Sequence, residues 1–578
     1  MSAIPSKSIR TLYETTQAAL EKATARGLPA FLLSAAASGV LGLVWYLILY
    51  GRYPLYVTHV SWLYNAGGDA LQHQLGWEWF RKAAWQFPLG SIQALGYPVG
   101  TSVTYMDSIP LLAIPFKLLS PWLEPTFQYF GLWELASLVL MILTGTLVMR
   151  EFTRSLPLAL LASSLLALSS PQIFRAFYHS SLSAHWIVLA GIWFVLLERR
   201  KRLWRWAWVA LFGVAMLVHL YFIPMLLPLW IISLYYQYRS APRRWRLALD
   251  VLTVAGVVLL TGNSTGAFGL GYKDLAISGY GTYSWNLNGF LNPLDIASAF
   301  ARGMAITGGQ YEGISYLGIG NLLLLPVAVY LFALKENPRR RLAVLLPFLA
   351  AAGVYTLFAV SNKAFFSLQP VWDFALPDAV QRFVNLFRSS GRFIWPVYYF
   401  IVLFVLVMIA RNVRYPGVVI GFALLLQLLD LQPLYGSKAM QEFAVYQTPM
   451  QSAFWEVAAD SNRHVVVLPA TKVREFGSDA LAIWAVQQDL TLNYAYFARS
   501  DRVAIREAAR AAWEDLLAEQ PDPHTLYVFS DPEYIRAARD TLAETMIVCE
   551  VDGYTVALAV ENGLIGSGFN MGQVCSIP

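Results

Sequence analysis

Charge is what this 578-residue chain has least of. Asp, Glu, Lys and Arg make up 13% of it, where soluble domains carry about 25%. Hydrophobic residues fill 57% and the mean hydropathy is +0.49, so an ordinary soluble globular protein is excluded and lipid is the solvent. There are two cysteines, Cys549 and Cys575, with no Cys/His spacing of a zinc site. No phosphate loop of the GxxxxGK[ST] kind occurs, and no GxGxxG joins a strand to a helix, which removes the usual nucleotide sites. The first thirty residues are polar and mildly basic, and no small-residue cleavage site follows the first apolar run, so no cleavable signal peptide is expected. There is no internal repeat and no low-complexity segment. The net charge of +6 fits loops facing anionic lipid rather than nucleic acid.

What the chain does have is long apolar runs. A crossing needs roughly 20 residues, and such runs fall near 31–50, 130–149, 157–173, 184–197, 206–222, 223–238, 247–262, 315–334, 342–360, 393–410 and 416–432, about eleven spans. Between them lie strongly basic loops such as Glu198-Arg-Arg-Lys-Arg-Leu-Trp-Arg205, Arg239-Ser-Ala-Pro-Arg-Arg-Trp-Arg246 and Lys335-Glu-Asn-Pro-Arg-Arg-Arg341. Positive charge stays on the cytoplasmic side. Counting from an inside N-terminus, the loops at 150–155, 198–205, 239–246, 335–341 and 411–415 all fall inside and all are basic. The segments 51–129, 263–314, 361–391 and everything after 433 fall outside. The expected architecture is a mostly α, polytopic transmembrane bundle over 1–432, with a first external loop at 51–129. A small external α/β domain follows over 433–578. In that tail, runs of strand length (His464–Pro469, Thr525–Ser530, Met546–Glu550) alternate with helical patterns such as Arg502–Leu517. Both cysteines lie there, and a disulfide between them is allowed.

Residues able to do chemistry concentrate in the external segments. The first loop reads Gly67-Gly-Asp69-Ala-Leu-Gln-His73 and continues through Glu78 and Arg81. On a helix from Asp69, His73 shares the Asp69 face and Glu78 points roughly opposite. Asp69 and His73 could act as base and orienter or hold a divalent metal such as Mg or Mn. Equally, Asp69 could cap the helix with His73 solvated. Asp107 precedes an apolar, proline-bounded stretch, Ile109–Leu123, that is too short to span and reads as an interfacial helix. Arg175, His179 and His185 follow the third span, and His219 sits near the outer end of the fifth, where an ionisable group is costly. The Gly-, Asn-, Ser- and Tyr-rich loop 263–314 ends with Tyr311 and Glu312, a composition suited to closing over a sugar. At the mouth of the tenth span, Phe387-Arg388-Ser-Ser-Gly-Arg392 places two arginines where positive charge is otherwise scarce. They could grip a phosphate, with Ser389 and Ser390 as added donors, or anchor lipid headgroups.

On these stretches the chain resembles the GT-C superfamily of polytopic membrane glycosyltransferases. It is similar to a bacterial branch with the pattern GGDxxxHxxGWxFFR…W.FPLG…DSIPLL…FRSSGRF, here Gly67–Arg81 (with Glu78-Trp-Phe before Arg81), Trp85–Gly90, Asp107–Leu112 and Phe387–Phe393. The resemblance covers most of the chain. It implies transfer of a sugar from a polyprenyl-phosphate donor to a periplasmic acceptor (a pilin-like protein, lipid or polysaccharide) in a bacterial inner membrane. It further implies Asp69 as catalytic base, with His73 beside it, and Arg388, Arg392 and Ser389 on the donor phosphate. Asp107, Arg175, His179, His219, Tyr311 and Glu312 are the expected substrate-binding residues. A lone Asp69 stands where other branches have an adjacent acidic pair, which leaves the metal open. Two other classes fit the composition. A flippase for a lipid-linked sugar would need paired broken helices and a midplane site. A non-catalytic scaffold would need only the tail.

Overall fold

A computed structural model describes residues 27–239, 244–268, 278–334, 338–440, 442–470, 477–542, 545–562 and 575–576. The basic N-terminus, residues 240–243 and 335–337 of two basic loops, and 269–277 of the long polar loop lie outside the described residues. Six helices are long and apolar enough to cross a membrane: Leu28–Tyr50, Phe130–Met149, Ser180–Arg199 (with its opening 3-10 turn), Arg244–Ser264, Leu342–Val360 and Ser390–Asn412. Five shorter apolar helices, Leu156–Ala167, Ala207–Val218, Phe222–Tyr238, Ile319–Ala333 and Pro416–Asp430, stand at the other five positions where the sequence predicts spans. Runs of Leu, Val, Ile, Phe and Ala form helices here because in lipid only the helix satisfies its own backbone.

Two predicted spans are interrupted. The run 157–173 is helical over Leu156–Ala167, and a separate short helix, Ser170–Arg175, follows. Pro171 has no N–H to continue the ladder, and the Gln427 amide donates to the carbonyl of Leu168 at 3.1 Å and that of Leu317 at 3.0 Å. The run 206–222 ends at Val218, and His219 adopts an extended backbone before Phe222–Tyr238 begins. His219 therefore lies in a break between helices, not within a span.

The chain divides into two compact units. The first gathers the described residues of Met1–Tyr56, Phe130–Val257 and Ala276–Gln441 and is helical, apart from a two-stranded hairpin of Lys363–Phe366 and Gln369–Asp373. Small residues let its helices approach. A Cβ on Gly42 would come within 2.6 Å of Val139 Cγ2, and one on Gly145 within 3.0 Å of Ser163 Cβ. Such close backbone packing substitutes for the hydrophobic drive that lipid removes. Buried Asp430 ends the helix Pro416–Asp430 and accepts the Tyr316 hydroxyl at 3.0 Å and the Ile319 N–H at 2.8 Å, so it also satisfies the start of the next apolar helix.

The second unit gathers Val57–Tyr129, Val258–Leu275 and Glu442–Pro578. Its tail holds a six-stranded sheet in the order Cys575–Ser576, Met546–Val551, Tyr554–Ala559, Thr525–Phe529, His464–Leu468, Thr491–Leu492. The last three run parallel, in α/β fashion, and the hairpin 546–559 is antiparallel. That hairpin turns on Asp552-Gly553, both at positive φ, as a two-residue loop matched to strand twist requires. The helices Arg502–Leu517 and Pro532–Thr541 begin on Asp501 and Asp531, whose carboxylates accept from Ala504 and Glu533 N–H groups. Ile505, Ala509 and Leu516 pack onto Leu468, Phe529 and Val548. Cys549 is disulfide-bonded, and its register partner across the ladder is Cys575.

The sequence-drawn division at 432/433 assigns the first loop to the helical module, whereas residues 57–129 cluster with the tail. The links are backbone and indole contacts that no pattern announces. Leu95 bridges Leu492, Trp79 Nε1 donates to Leu490 O at 3.2 Å, and Lys82 Nζ reaches Val486 O and Asp489 at 2.6 Å.

Candidate functional site

Among the described residues, each unit brings together some of the residues the sequence singles out. In the helical unit the cluster is Arg175, Glu312 and Arg392, all under one-tenth exposed. Arg175 ends the short helix Ser170–Arg175, Glu312 lies in a 3-10 turn at Gln310–Gly313, and Arg392 lies in another at Ser390–Ile394. Arg175 Nη2 donates to Glu312 Oε2 at 2.6 Å and to the Glu312 carbonyl at 3.1 Å. Arg392 Nε donates to the same Oε2 at 2.8 Å. The two turns meet backbone to backbone, because a Cβ on Gly391 would stand 2.9 Å from Gly313 Cα. Gly391 of the Arg388–Arg392 stretch is thus a steric requirement of the ion cluster.

Burial alone would push the Glu312 carboxyl up, but Arg175 and then Arg392 reverse this and hold it well below the usual carboxylate range. The two guanidinium groups that meet this carboxylate also lie against aromatic rings. Arg392 lies 4.8 Å from the Tyr221 ring centroid, and Arg175 lies 5.0 and 5.5 Å from those of Phe174 and Trp395. Lys438, which the sequence reading missed, belongs to the same neighbourhood. It is buried, sits 3.8 Å over the Tyr178 ring, and has its ammonium pKa pushed down to about 7 by burial and then by Arg175. Its position in a turn past the last apolar run gave no signal beyond an isolated Lys on the side where few occur.

Arg388 and Arg392, expected on a phosphate, have different partners in the structure. Residues 385–387 and 390–394 are 3-10 turns, not one α-helix, so spacing by four does not put both on one face. Arg392 turns onto Glu312, while Arg388 is half-buried, 5.5 Å over the Tyr283 ring. Ser389 is buried, and its N–H donates to the Tyr221 hydroxyl at 3.0 Å. His179 is half-buried and helps hold the Glu312 carboxylate ionised. Tyr311 is exposed, its ring edge 6.5 Å from Phe174. His219 Nδ1 lies 3.1 Å from the Tyr221 N–H, a local turn contact. His185 is buried with Nδ1 2.7 Å from the Tyr399 hydroxyl, which also meets Ser169.

In the second unit the helix Gly68–Lys82 starts after Gly67, and no side chain caps it, so Asp69 is a first-turn residue and not a cap. The half-buried Asp69 accepts the Tyr496 hydroxyl at 3.0 Å. His73 is fully buried four residues on. Asp107, at φ 52, offers an oxygen within 4.8 Å of a His73 ring nitrogen. The carboxylate beside the imidazole is therefore Asp107, which sequence spacing could not reveal. The approach is enforced sterically: a Cβ on Gly76 would lie 2.3 Å from Met106 Cβ and 2.4 Å from Ser108 Oγ. Ser108 Oγ and the Gln72 amide lock the loop to the helix at 2.8 and 3.1 Å. A His–Asp pair can pass a proton or supply two ligands to a divalent ion whose remaining ligands are water or substrate oxygens. Glu78 is not part of this group. It is buried on Tyr64 and Gln74, both at 2.6 Å, and burial raises its carboxyl pKa.

No curated protein matches this chain. A family model described as "DUF6311 C-terminal domain" matches residues 454–559, which contain most of the tail sheet. A second, described as "Domain of unknown function (DUF6311)", matches residues 39–432 and so takes in both clusters except Lys438 and Tyr496; the chain belongs to that family.

Proposed function

We propose that this protein is a membrane glycosyltransferase that moves a sugar from a polyprenyl-phosphate carrier to an acceptor outside the cytoplasm. The observation that supports the reading best is the buried Arg175–Glu312–Arg392 cluster, since guanidinium groups grip phosphate oxygens. All eleven apolar helices cross in this reading, with the basic loops cytoplasmic and the tail periplasmic in a bacterial inner membrane. The acceptor hydroxyl oxygen attacks the anomeric carbon opposite the leaving group, so configuration inverts. Its proton passes to the Asp69 carboxylate, which Tyr496 holds in place, and His73 contacts the sugar or orients the acid. The bond between the anomeric carbon and the phosphate oxygen breaks, and the carrier leaves as a phosphate monoester with one more negative charge than the donor had. Arg392 and the more exposed Arg388 stabilise that added charge; loss of one such donor typically costs about 10²–10³ in rate.

The test is sugar transfer by the purified protein in lipid, with a panel of polyprenyl-phosphate sugars, beside Asp69→Asn. Donor cleavage that disappears in Asp69→Asn, with expression and melting unchanged, supports the reading and names the sugar. A protein that binds a donor and cleaves none overturns it.

A further inference from the structure

A second site lies in the helical unit, away from the residues above. Four helix ends converge there: the ends of Trp186–Arg199 and Phe222–Tyr238 and the starts of Ala207–Val218 and Arg244–Ser264. They enclose a cavity of about 440 Å³, within the range of small-molecule sites. Part of its lining is the loop Glu198–Arg205, which the sequence marks only as a topology signal. Arg200 and Arg202 of that loop are spent on Glu151, at 2.6 and 3.3 Å. Lys201, Arg205 and Arg246 line the cavity instead. Arg205 lies against the Trp206 ring at 5.0 Å and Arg246 against Trp245 at 5.1 Å, and among the described residues none of the three cations is in a salt bridge. Lys201 holds φ 54, a left-handed position where glycine is usual after a helix, and so reverses the chain at the cavity.

Two carboxylates line the same cavity, Glu198 from that loop and Asp250 one turn past Arg246 on the same helix, with Asp250 Oδ2 accepting the Tyr238 hydroxyl at 2.5 Å and the Gln237 amide at 3.3 Å. The floor is buried Trp208 and Trp230, and the rim carries Trp204, 65% exposed. A simple anion would meet two carboxylates here, and a simple cation three basic groups. A ligand with both charges a few ångströms apart meets groups of both signs. Exposed indoles beside apolar helix surface, including Ile231 and Leu252, mark a lipid–water boundary.

We propose that this cavity binds the head of a zwitterionic aminophospholipid. The phosphodiester sits among Lys201, Arg205 and Arg246, the ammonium sits against Asp250 and Glu198, and the acyl chains run along the apolar helices. The test is native mass spectrometry of the full chain in detergent, titrated with phosphatidylethanolamine or phosphatidylglycerol. The expected result is roughly tenfold stronger retention of phosphatidylethanolamine, the size of one charge-assisted contact. Asp250→Asn should erase the preference, and Arg205→Ala with Arg246→Ala should weaken both lipids. If that double variant does not fold, Asp250→Lys serves in its place and should invert the preference. Glycerophosphoethanolamine, read by tryptophan fluorescence, separates the sources. Binding as tight as the lipid's supports the same chemistry with a soluble phosphoester, and much weaker binding supports the lipid. Equal retention of both lipids by the unaltered protein, or folded variants that keep its preference, overturns the proposal.

Discussion

Replacing Glu312 by Gln removes one charge and almost no volume, so it isolates the electrostatics of the buried cluster. Two charged hydrogen bonds end on Glu312 Oε2, at 2.6 and 2.8 Å. Each such bond contributes about 1.5–3 kcal/mol, and breaking a buried ion pair by removing one partner costs about 3–5 kcal/mol because the other charge is left uncompensated. Both routes give roughly 3–6 kcal/mol, which for a unit of this size corresponds to a fall in Tm on the order of 5–10 °C. The assay is thermal unfolding of purified protein in detergent, followed by tryptophan fluorescence. Because the native carboxyl is held below its unfolded value, its contribution is complete above the unfolded pKa of about 4.3. It is lost only as pH falls through the depressed native value. The difference between the two proteins should therefore be flat from pH 5 to 8. Adding Arg392→Gln to Glu312→Gln should cost less than the sum of the single changes, because it restores the charge balance. An unchanged Tm for Glu312→Gln, with strictly additive double substitution, would refute this reasoning.

Four further outcomes are expected. Gly76→Ala should destabilise the second unit by about 1–3 kcal/mol through overpacking, since the new Cβ meets Met106 and Ser108 at 2.3 and 2.4 Å; limited proteolysis of the tail would report it. Lys438 binds its proton only below about pH 7 when folded but up to about 10.4 when unfolded, so stability should rise between those pH values. Lys438→Met should flatten that slope in melts taken at pH 7, 8, 9 and 10, and an equal slope in both proteins would contradict it. Arg388→Ala should raise the donor concentration needed for half-maximal transfer while leaving Tm in place, as its guanidinium is half-exposed and stacked on Tyr283. Tyr496→Phe should weaken transfer without unfolding the tail, because it removes one hydrogen bond from Asp69, worth about 1 kcal/mol.

Some of this was open to a reader of the sequence because the governing physics is local. Apolar runs announce helices wherever their length and composition repeat: each of the eleven runs holds an apolar helix, and six of these helices are long enough to cross a membrane. The strands at His464, Thr525 and Met546 and the helix Arg502–Leu517 were legible from strand-length apolar runs alternating with a helical pattern. Where a local rule had an exception, the boundary moved: Pro171 split one predicted span, and His219 lies where another breaks.

The partners were not legible. Spacing paired Asp69 with His73, and scarcity of outer positive charge singled out Arg388 and Arg392, because local rules are all a sequence carries. The fold set Asp107 beside His73 and put Glu312, 137 residues from Arg175 and 80 from Arg392, between those two arginines. Gly76, Gly313 and Gly391 read as ordinary glycines until the backbones they admit were in place. Taken by itself, the sequence determined that the chain is apolar, helical and basic at particular loops, since burial in lipid and charge retention depend on composition within a few residues. Only the tertiary structure decided which ionisable groups share a low-dielectric site, because that depends on contacts between segments far apart in the chain, where a carboxylate between two guanidinium groups stays ionised and one against a tyrosine and a glutamine does not gain the same support.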